Sequence, residues 1–393
     1  MNPLRISAFT ATSAVGSGVE AFRIALVNRC SGLRFNDFTH APLHTFIGRV
    51  AGLEDAPLPT RWAEWECRNN RLAWLAIQAD QFLEAALGAR ERYGDDRVAV
   101  VMGTSTSSIG ATEEAYQRLL PGGKYPDDLC RPVVHTPHSL GDFIRVALGL
   151  SGVVVTVGTA CSSSAKVFAQ AERLIRCGLA DAAIVGGVDT LCGSVLFGFN
   201  SLELVSPEPC RPFDAARRGI SLGEAGGFAL LERDGRGGPW LIGYGESSDA
   251  HHMSSPHPEG LGARLAIEMA LSRAGCNASD IDYINMHGTA SQKNDEVEAG
   301  LVAGMFPAST RASSTKGWTG HTLGAAGIVE AVVSFVALET GIVPGTLNTE
   351  SLDAACGPQL CIENEIRDIR VVLSNSFGFG GSNCALLFGR HAA

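Results

Sequence analysis

Short runs of apolar, often β-branched residues alternate along the chain with longer segments in which apolar residues recur at helical spacing. The short runs are typical of buried strands, and the longer segments are typical of helices packed against them. The predicted strands cover residues 4–9, 97–102, 153–157, 181–187, 240–244, 281–286, 371–375 and 384–388. The predicted helices cover residues 19–27, 61–87, 111–120, 139–149, 162–177, 261–274 and 322–341. This alternation predicts an α/β protein with a parallel sheet covered on both faces.

The two halves of the chain share one arrangement, in which a strand leads to the start of a long helix. Cys161 lies at such a junction in the first half, and His321 lies just before the apolar helix in the second half. No literal sequence repeat and no flexible linker accompanies this similarity. The pattern predicts a duplicated βα core, with residues 1–239 forming the half that carries the cysteine and residues 240–393 the half that carries two candidate histidines.

Cys161 is the candidate nucleophile. It precedes three serines at the point where a strand becomes a helix, so unpaired backbone N–H groups and the positive end of the helix dipole are expected around it. This position predicts a lowered thiol pKa and a site that stabilises an oxyanion. The alternative is a small buried hydrophobic residue, since the chain contains 11 cysteines.

Two histidines and an ion pair are the candidate partners of the cysteine. His287 lies at the end of a predicted strand, the position where α/β folds place their active sites. The alternative is that His287 has only a structural role. Lys316 precedes His321 by five residues, and its charge is predicted to keep that imidazole neutral. Glu330 lies in an otherwise apolar helix and needs a partner, for which Lys316 is the candidate; the alternative is that Glu330 faces water.

Composition and charge limit the partners and the cellular compartment that are expected for this protein. The 393 residues carry a net charge of −10, which argues against nucleic acid as a partner. Their hydrophobic content of 45% is typical of a tightly packed α/β protein. The cysteines lack paired spacing, which indicates free thiols in a reducing compartment. The N-terminus lacks the apolar segment of a signal peptide, and no uninterrupted apolar run approaches the length of a membrane span. A cytoplasmic protein without a membrane span is therefore expected.

Motifs for metals and nucleotide cofactors are missing from the sequence. The histidines of residues 249–257 fit no common zinc spacing, and the Gly/Ser/Thr-rich residues 103–110 lack the lysine of a phosphate-binding loop. No Gly-x-Gly-x-x-Gly follows a predicted strand. We therefore predict no metal and no nicotinamide or flavin cofactor.

Together the motifs resemble those of the β-ketoacyl-[acyl carrier protein] synthases, in the elongating branch of the thiolase-like condensing enzymes. The Cys-His-His set separates this branch from the initiating synthases and from the thiolases. The motifs that carry the resemblance are GTACSSS at 158–164, RPFDAARRG at 211–219, GEAG at 223–226, HGTAS at 287–291, STKGWTGH at 314–321, GAAGIVE at 324–330 and NSFGFGGSN at 375–383.

The resemblance implies a five-layered α-β-α-β-α fold and a decarboxylative Claisen condensation. Cys161 would accept an acyl chain as a thioester, and the backbone N–H groups of Cys161 and Phe379 would hold the oxyanion. His287 and His321 would polarise the carbonyl of a malonyl thioester and favour its decarboxylation. The resulting carbanion would attack the acyl group on Cys161 and release a 3-oxoacyl thioester.

The resemblance also assigns supporting residues. Lys316 and Glu330 would fix the environment of His321, and Phe379 would gate access of the malonyl unit. Thr289 and Ser291 would hydrogen-bond the phosphopantetheine arm of an acyl carrier protein, with serine standing where the family has a second threonine. No cofactor is implied beyond that arm.

The implied partners are the acyl carrier protein, malonyl and acyl thioesters, and a second subunit that pairs through the strand at residues 152–157. That subunit is either a second copy or a chain-length-factor-like homologue. Glu203 stands where relatives often present a basic residue to the carrier protein, so Arg68 and Arg71 are the candidate docking residues. Such departures suggest a dedicated pathway, for an aryl-polyene-like or other polyketide product, with fatty-acid elongation also open. A second function is also open, that of a non-catalytic or chain-length-determining subunit of a ketosynthase heterodimer, although the intact Cys-His-His set argues against it.

Overall fold

A computed structural model describes residues 1–38, 42–235 and 237–391 of the chain. The strands are β1 Leu4–Ser13, β2 Gly16–Ser17, β3 Arg34–Phe35, β4 Phe46–Gly48, β5 Val98–Gly103, β6 Val154–Val157, β7 Ala182–Asp189, β8 Leu222–Gly223, β9 Ala225–Glu232, β10 Trp240–Ser248, β11 Tyr283–Asn285, β12 Arg311–Ser313, β13 Ile342–Val343, β14 Glu365–Ile366, β15 Val371–Gly378 and β16 Ser382–Gly389. The α-helices are α1 Val19–Asn28, α2 Arg68–Ile77, α3 Phe82–Tyr93, α4 Ile109–Gln117, α5 Ser139–Leu148, α6 Ser163–Arg176, α7 Gly193–Ser201, α8 Leu261–Ala274, α9 Gln292–Met305, α10 Lys316–Thr319 and α11 Ala326–Thr340.

The main sheet repeats one topology in the two halves of the chain. From the centre outward, the first half orders its strands β1-β9-β7-β5-β6, and the second half orders them β10-β16-β15-β11-β12. In each half the two inner pairings are antiparallel and the two outer pairings are parallel. Strands β1 and β10 join the halves through an antiparallel pairing. The predicted duplicated core is therefore confirmed, whereas the prediction of a parallel sheet holds only for the outer strands.

Helices cover both faces of each half and also fill the space between the halves. Helices α6 and α11 contact each other and contact strands of both halves, within one shared hydrophobic core. Helices α2, α3 and α5 pack on the outer face of the first half, and α8 and α9 pack on the outer face of the second. This gives the thiolase-like order of five layers, α-β-α-β-α, that the resemblance implied.

The central helices approach each other closely where the site lies. A Cβ atom on Gly327 of α11 would lie 2.5 Å from the backbone nitrogen of Ala165 in α6, so a side chain at this position would force the helices apart. The backbone N–H of Ile328 donates to Oγ of Ser164 at 3.0 Å across the same contact. The stretch Leu323–Thr340 is long and apolar enough to span a membrane, but 89% of it is buried in the protein, as in a core helix.

The long helix predicted over residues 61–87 is wrong as a single element. It divides into a 3-10 turn at Thr60–Trp65, α2, a second 3-10 turn at Ala79–Gln81, and α3. Asp80 and Gln81 both take left-handed backbone conformations, with φ of 53° and 57°. The carboxylate of Asp80 accepts a hydrogen bond from the backbone N–H of Val19 at 2.9 Å, so this break serves the start of α1. The other predicted elements are present with shifted ends. The elements that were missed are β9 and β12 of the main sheet, the short strands β2, β3, β4, β8, β13 and β14, and the helices α7, α9 and α10.

Candidate active site

All of the predicted site residues except Lys316 and Glu330 line one cavity of about 340 Å³. Its described lining includes Cys161 from the first half, together with His287, His321, Thr289 and Phe379 from the second half. Ser291 also lines it. The sulfur of Cys161 and one ring nitrogen from each histidine lie within 4.8 Å of one another. Two distant parts of the chain therefore supply one compact set of reactive groups.

A strained turn presents Cys161. The residue lies in the 3-10 turn Ala160–Ser162, between the end of β6 and the start of α6, and only 5% of it is exposed. Ala160 has a left-handed φ of 51°, a conformation that costs a non-glycine residue on the order of 1–3 kcal/mol. Oγ of Ser163 accepts from the N–H of Thr159 at 2.9 Å and donates to the carbonyl of Ala160 at 2.6 Å, which holds the turn in place.

The thiol of Cys161 is protonated at rest. Burial raises its pKa to about 11, against the opposing effects of the Lys316 charge and of a hydrogen bond from the backbone N–H of Phe379. The predicted lowering of this pKa is wrong, because burying a thiolate in an apolar site costs more than the nearby positive potentials recover. The sulfur lies 3.0 Å from Nε2 of His321, which is therefore placed to accept the thiol proton.

Both imidazoles of the site are neutral. Their rings lie 5.4 Å apart and are nearly perpendicular, at 86°. Burial, and then the positive charge of Lys316, lowers the pKa of His287 and of His321 well below the ordinary value. Nζ of Lys316 lies 3.4 Å from Nδ1 of His287. Because an ammonium group can only donate, Nδ1 of His287 is the acceptor and the ring proton resides on Nε2.

Lys316 and Glu330 form a buried ion pair beside the histidines. The residues are 2% and 3% exposed, and Nζ of Lys316 donates to Oε1 of Glu330 and to the backbone carbonyl of His287. Burial raises the pKa of Glu330 to about 7, and the Lys316 charge opposes this rise. The predicted pairing is confirmed, and the alternative in which Glu330 faces water is wrong. The prediction that the Lys316 charge keeps the imidazole of His321 neutral agrees with the lowered pKa of His321, although the ammonium group itself lies against His287.

Two buried carboxylates on α9, which the sequence did not predict, hold the loop that carries His287. Glu298 accepts from the backbone N–H groups of His287 and Gly288, each at 2.8 Å, and burial raises its pKa to about 7. Asp295 accepts from the backbone N–H of Thr289 at 2.9 Å. The sequence feature that could have indicated them is a pair of acidic residues three positions apart, shortly after the His287 motif. The apolar periodicity of this segment is weak, so the helix that carries the pair was not predicted.

The loop after His287 depends on Gly288. Its φ is 29°, and a Cβ atom there would lie 2.5 Å from the ring of Phe213 and 2.5 Å from Cβ of Ser314. Only glycine fits this space. Beyond it, Oγ1 of Thr289 donates to Oγ of Ser291 at 2.9 Å, so two hydroxyl groups line the cavity side by side.

Phe379 lies on the opposite wall of the cavity, in the glycine-rich turn between β15 and β16. Its ring packs on that of Phe199, with centroids 5.6 Å apart and a tilt of 31°. The turn is held from outside, because the N–H of Gly380 donates to the carbonyl of Met253 at 2.7 Å and the N–H of Asp249 donates to the carbonyl of Gly381 at 2.8 Å. These contacts fix the position of the Phe379 backbone N–H beside Cys161.

Asp189 is a further buried carboxylate that sequence analysis missed. It lies at the end of β7 and is 0% exposed. It accepts from Oγ1 of Thr104 at 2.6 Å, from Oγ1 of Thr106 at 2.7 Å and from the backbone N–H of Gly324 at 2.6 Å. These bonds tie the loop after β5 to the segment just before α11, so Asp189 links the two halves beside the site.

The Cys-His-His set contains the atom types that bind zinc, but its surroundings disfavour a cation. A zinc ion would replace the thiol proton and bind two imidazole nitrogens. The Lys316 ammonium group lies 3.4 Å from one of those imidazoles and would repel the ion. The site is therefore better suited to covalent and hydrogen-bonding chemistry.

Arg68 and Arg71, the predicted docking residues, are both held in ion pairs within the chain. Arg68 makes two hydrogen bonds, of 3.0 and 2.6 Å, to the fully buried carboxylate of Glu224. Arg71 pairs with Glu66. These guanidinium groups hold α2 in place and are not free for an acidic partner.

Two family models match the chain. The model described as "Beta-ketoacyl synthase, N-terminal domain" matches residues 64–236, and the model described as "Beta-ketoacyl synthase, C-terminal domain" matches residues 240–350. Nodulation protein E of Rhizobium meliloti (strain 1021) is 35% identical over 338 residues, which are 81% of this chain and 82% of that protein. The 3-oxoacyl-[acyl-carrier-protein] synthase 2 of the same strain is 41% identical over 277 residues, which are 64% of this chain and 66% of that protein.

Solved structures extend the similarity over the whole chain. The ketosynthase ApeO from Xenorhabdus doucetiae, in complex with its chain length factor ApeC, superposes with a TM-score of 0.90 at 36% identity, covering 99% of this chain and 98% of that one. The ishigamide ketosynthase/chain length factor superposes with a TM-score of 0.87 at 27% identity, covering 100% of each chain.

Proposed function

The chain belongs to the β-ketoacyl synthase family, and we propose that it lengthens an acyl chain held on Cys161 with two carbons from a malonyl thioester of acyl carrier protein. It is a carbon–carbon bond-forming acyltransferase of fatty-acid or polyketide chain elongation. The observation that carries the proposed mechanism is the 3.0 Å contact between Cys161 Sγ and Nε2 of a neutral His321, with His287 beside it.

The first proposed step is acylation of Cys161. The thiol gives its proton to Nε2 of His321 while the sulfur attacks the carbonyl carbon of the incoming thioester. The backbone N–H groups of Cys161 and Phe379 hold the oxyanion of the tetrahedral intermediate. The carbon–sulfur bond to the carrier then breaks, the leaving thiolate takes the proton from His321, and the acyl group remains on Cys161.

The second step is decarboxylation of the malonyl thioester. His287 and His321 donate N–H groups to its thioester carbonyl, the carboxylate leaves as carbon dioxide, and the electron pair forms an enolate. Within the described residues, Nδ1 of His321 has no hydrogen-bond partner, so neither neutral tautomer is locked. The same ring can therefore accept the thiol proton in the first step and donate to the enolate oxygen in the second.

The third step forms the carbon–carbon bond. The enolate carbon attacks the acyl carbonyl on Cys161, and the tetrahedral oxyanion is held by the same two N–H groups. The carbon–sulfur bond to Cys161 breaks, and the Cys161 thiolate takes up one proton from solvent water. The product is a 3-oxoacyl thioester on the carrier. Thr289 and Ser291 hydrogen-bond the phosphopantetheine arm in this proposal, and Phe379 gates the malonyl unit at the cavity wall.

We expect His321→Ala to affect the half-reactions unequally. Acylation of Cys161 should slow but stay measurable, because the sulfur and the two backbone N–H groups that hold the oxyanion remain. Malonyl decarboxylation should fall by about 10²–10³-fold with the loss of an N–H donor to the enolate. Single-turnover mass spectrometry measures the first step, and release of carbon dioxide measures the second.

The exposed His44 offers a matched control, and His44→Ala should behave as wild type in both assays. Equal losses of acylation and decarboxylation in His321→Ala would contradict the division of roles.

We infer further that the protein works in the cytoplasm as a heterodimer with a chain-length-factor-like homologue, in a dedicated polyketide pathway of aryl-polyene type. The 36% identity to a ketosynthase solved with its chain length factor supports this pairing. The edge strand β6 supports it too, because the strand ends the main sheet and all of its residues are only half-buried. Fatty-acid elongation is the second candidate, favoured by the 41% identity to a 3-oxoacyl-[acyl-carrier-protein] synthase 2.

The pathway test compares the protein alone with the protein plus such a homologue. Each sample receives malonyl-carrier protein and a panel of saturated or conjugated acyl-carrier proteins, and products are followed by intact-protein mass spectrometry. We expect extension of conjugated chains that depends on the second subunit. Extension of saturated chains by the protein alone would instead support fatty-acid elongation, and no acyl adduct with any donor would contradict the catalytic role.

A further inference from the structure

Two basic side chains stand at the outer end of the active-site cavity. Arg218 and Lys293 line it, and their side chains are 63% and 74% exposed. Among the described residues of the lining, they are the only lysine and arginine. The inner end carries Cys161 and the two histidines. Two carboxylates also line the cavity: Glu203, which is exposed, and Asp249, which accepts from the backbone N–H of His257 and the side-chain amide of Asn383. The cavity therefore runs from a buried reactive end to a mouth that carries two exposed cations.

A reciprocal pair of hydrogen bonds joins Arg217 and Gln292, the residues that precede Arg218 and Lys293. The guanidinium group of Arg217 donates to the carbonyl of Gln292 at 3.0 Å, and the side-chain amide of Gln292 donates to the carbonyl of Arg217 at 2.7 Å. The Arg217 side chain is only 2% exposed and pairs with Asp353 at 2.6 Å, so this connection is anchored in the core. Arg218 follows Arg217 in the chain, and Lys293 follows Gln292.

The charges of Arg218 and Lys293 are not neutralised by tight ion pairs. The nearest carboxylates are Glu208, 3.8 Å from Arg218, and Glu296, 3.7 Å from Lys293. Such exposed, long contacts contribute little. Glu208 is moreover held by a shorter bond from Arg211. Both cations therefore remain available for an anion at the mouth.

Burial decreases steadily along the segment that leads from the reactive end to the mouth. His287 is 2% exposed and Thr289 is 7% exposed, Ser291 is half-buried, and Lys293 is exposed. The phosphopantetheine arm has the same order of chemistry, with a thioester at one end, two amides along its length and a phosphate at the other end. A thioester at Cys161 and amides near the two hydroxyl groups leave the phosphate at the basic mouth.

We propose that Arg218 and Lys293 bind the phosphate of the phosphopantetheine arm, and so set the preference of the enzyme for phosphorylated over non-phosphorylated pantetheine thioesters. This inference rests on the proposed function, because it assumes that the arm delivers the substrates to Cys161. The phosphate has the same chemistry on a carrier protein, on coenzyme A and on free phosphopantetheine. Two cations that line the same cavity can stabilise this anion through charge-assisted hydrogen bonds.

The test compares malonyl-pantetheine with malonyl-4′-phosphopantetheine as soluble substrates, using the complete chain with the partner subunit if activity requires it. Wild type should have a lower KM for the phosphorylated substrate, and added salt should raise that KM. In Arg218→Gln/Lys293→Gln the preference in kcat/KM should fall about tenfold, through KM and not kcat. Arg218→Lys/Lys293→Arg should restore most of it, because both positive charges remain.

The matched control is Arg23→Gln. Arg23 is an exposed arginine that pairs with Glu20 at i,i+3 spacing, as Lys293 does with Glu296, and neither Arg23 nor Glu20 lines the cavity. It should keep the wild-type preference. An unchanged preference in the double variant overturns the proposal, as does an equal loss on both substrates. Malonyl-carrier protein is the third substrate: a loss in the double variant on this substrate alone also overturns the proposal, and would mean that the two residues contact the carrier protein instead of the phosphate. Failure of wild type to turn over either malonyl thioester would instead contradict the proposed function.

Discussion

We expect Cys161→Ala to lower the rate of condensation by at least about 10³-fold, the size of effect that removal of a covalent nucleophile produces. No acyl adduct should form, because the attacking sulfur is gone and no other thiol borders both histidines in the described cavity. The substitution removes one small buried side chain, so the fold should persist. Intact-protein mass spectrometry after incubation with acyl-carrier protein measures the adduct, and product formation measures condensation.

Cys177→Ala is the matched control, since Cys177 is an exposed free thiol just beyond the end of α6. It should retain the adduct and the rate of wild type. The thiol pKa of about 11 gives a further expectation: at neutral pH iodoacetamide should modify exposed Cys177 faster than Cys161. Wild-type turnover by Cys161→Ala would show that the nucleophile is assigned incorrectly.

Lys316→Met should lower the free energy of unfolding by about 3–5 kcal/mol, because it leaves the carboxylate of Glu330 buried without its cation. It should also impair decarboxylation, since the hydrogen bond that holds Nδ1 of His287 as an acceptor is lost. Chemical denaturation measures the stability, and carbon dioxide release measures the activity. Lys316→Met/Glu330→Gln removes both charges and should recover much of the lost stability.

The loss in Lys316→Met should depend on pH. The folded-state pKa of Glu330 is about 7 in the wild type and rises further without Lys316, whereas the unfolded value lies near 4.5. Between these values the folded state binds more protons than the unfolded state, so the free energy of unfolding falls as the pH rises. The destabilisation relative to wild type should be small near about pH 5, where Glu330 is protonated in both proteins, and larger near about pH 8, where the wild type ionises Glu330 more readily than the variant does. The same loss at both pH values would show that the pair is not held by charge.

The reactive residues could be predicted because the reaction limits the side chains that can perform it. A thiol followed by small residues at a strand-to-helix junction, and histidines next to glycines at loop positions, are local patterns that can be recognised in the sequence. Glu330 could be paired with Lys316 for a similar reason, since a carboxylate within an apolar helix requires a cation. Asp295 and Glu298 escaped prediction because surface helices carry the same acidic spacing, and only the packing of α9 under the His287 loop buries them.

The sequence by itself determined the α/β class and the duplicated core, and it singled out one cysteine and two histidines that the fold brings together, since each depends on local periodicity or on a short motif. Only the tertiary structure decided the pKa values of the site residues and the partners of the charged side chains. Burial raised the pKa of Cys161 although its helix terminus was expected to lower it, and packing directed Lys316 to His287 and Arg68 to Glu224. The physical reason is that desolvation and Coulomb energies depend on distances between segments that are remote in sequence. Folding fixes those distances, and with them the charge state of every group in the site.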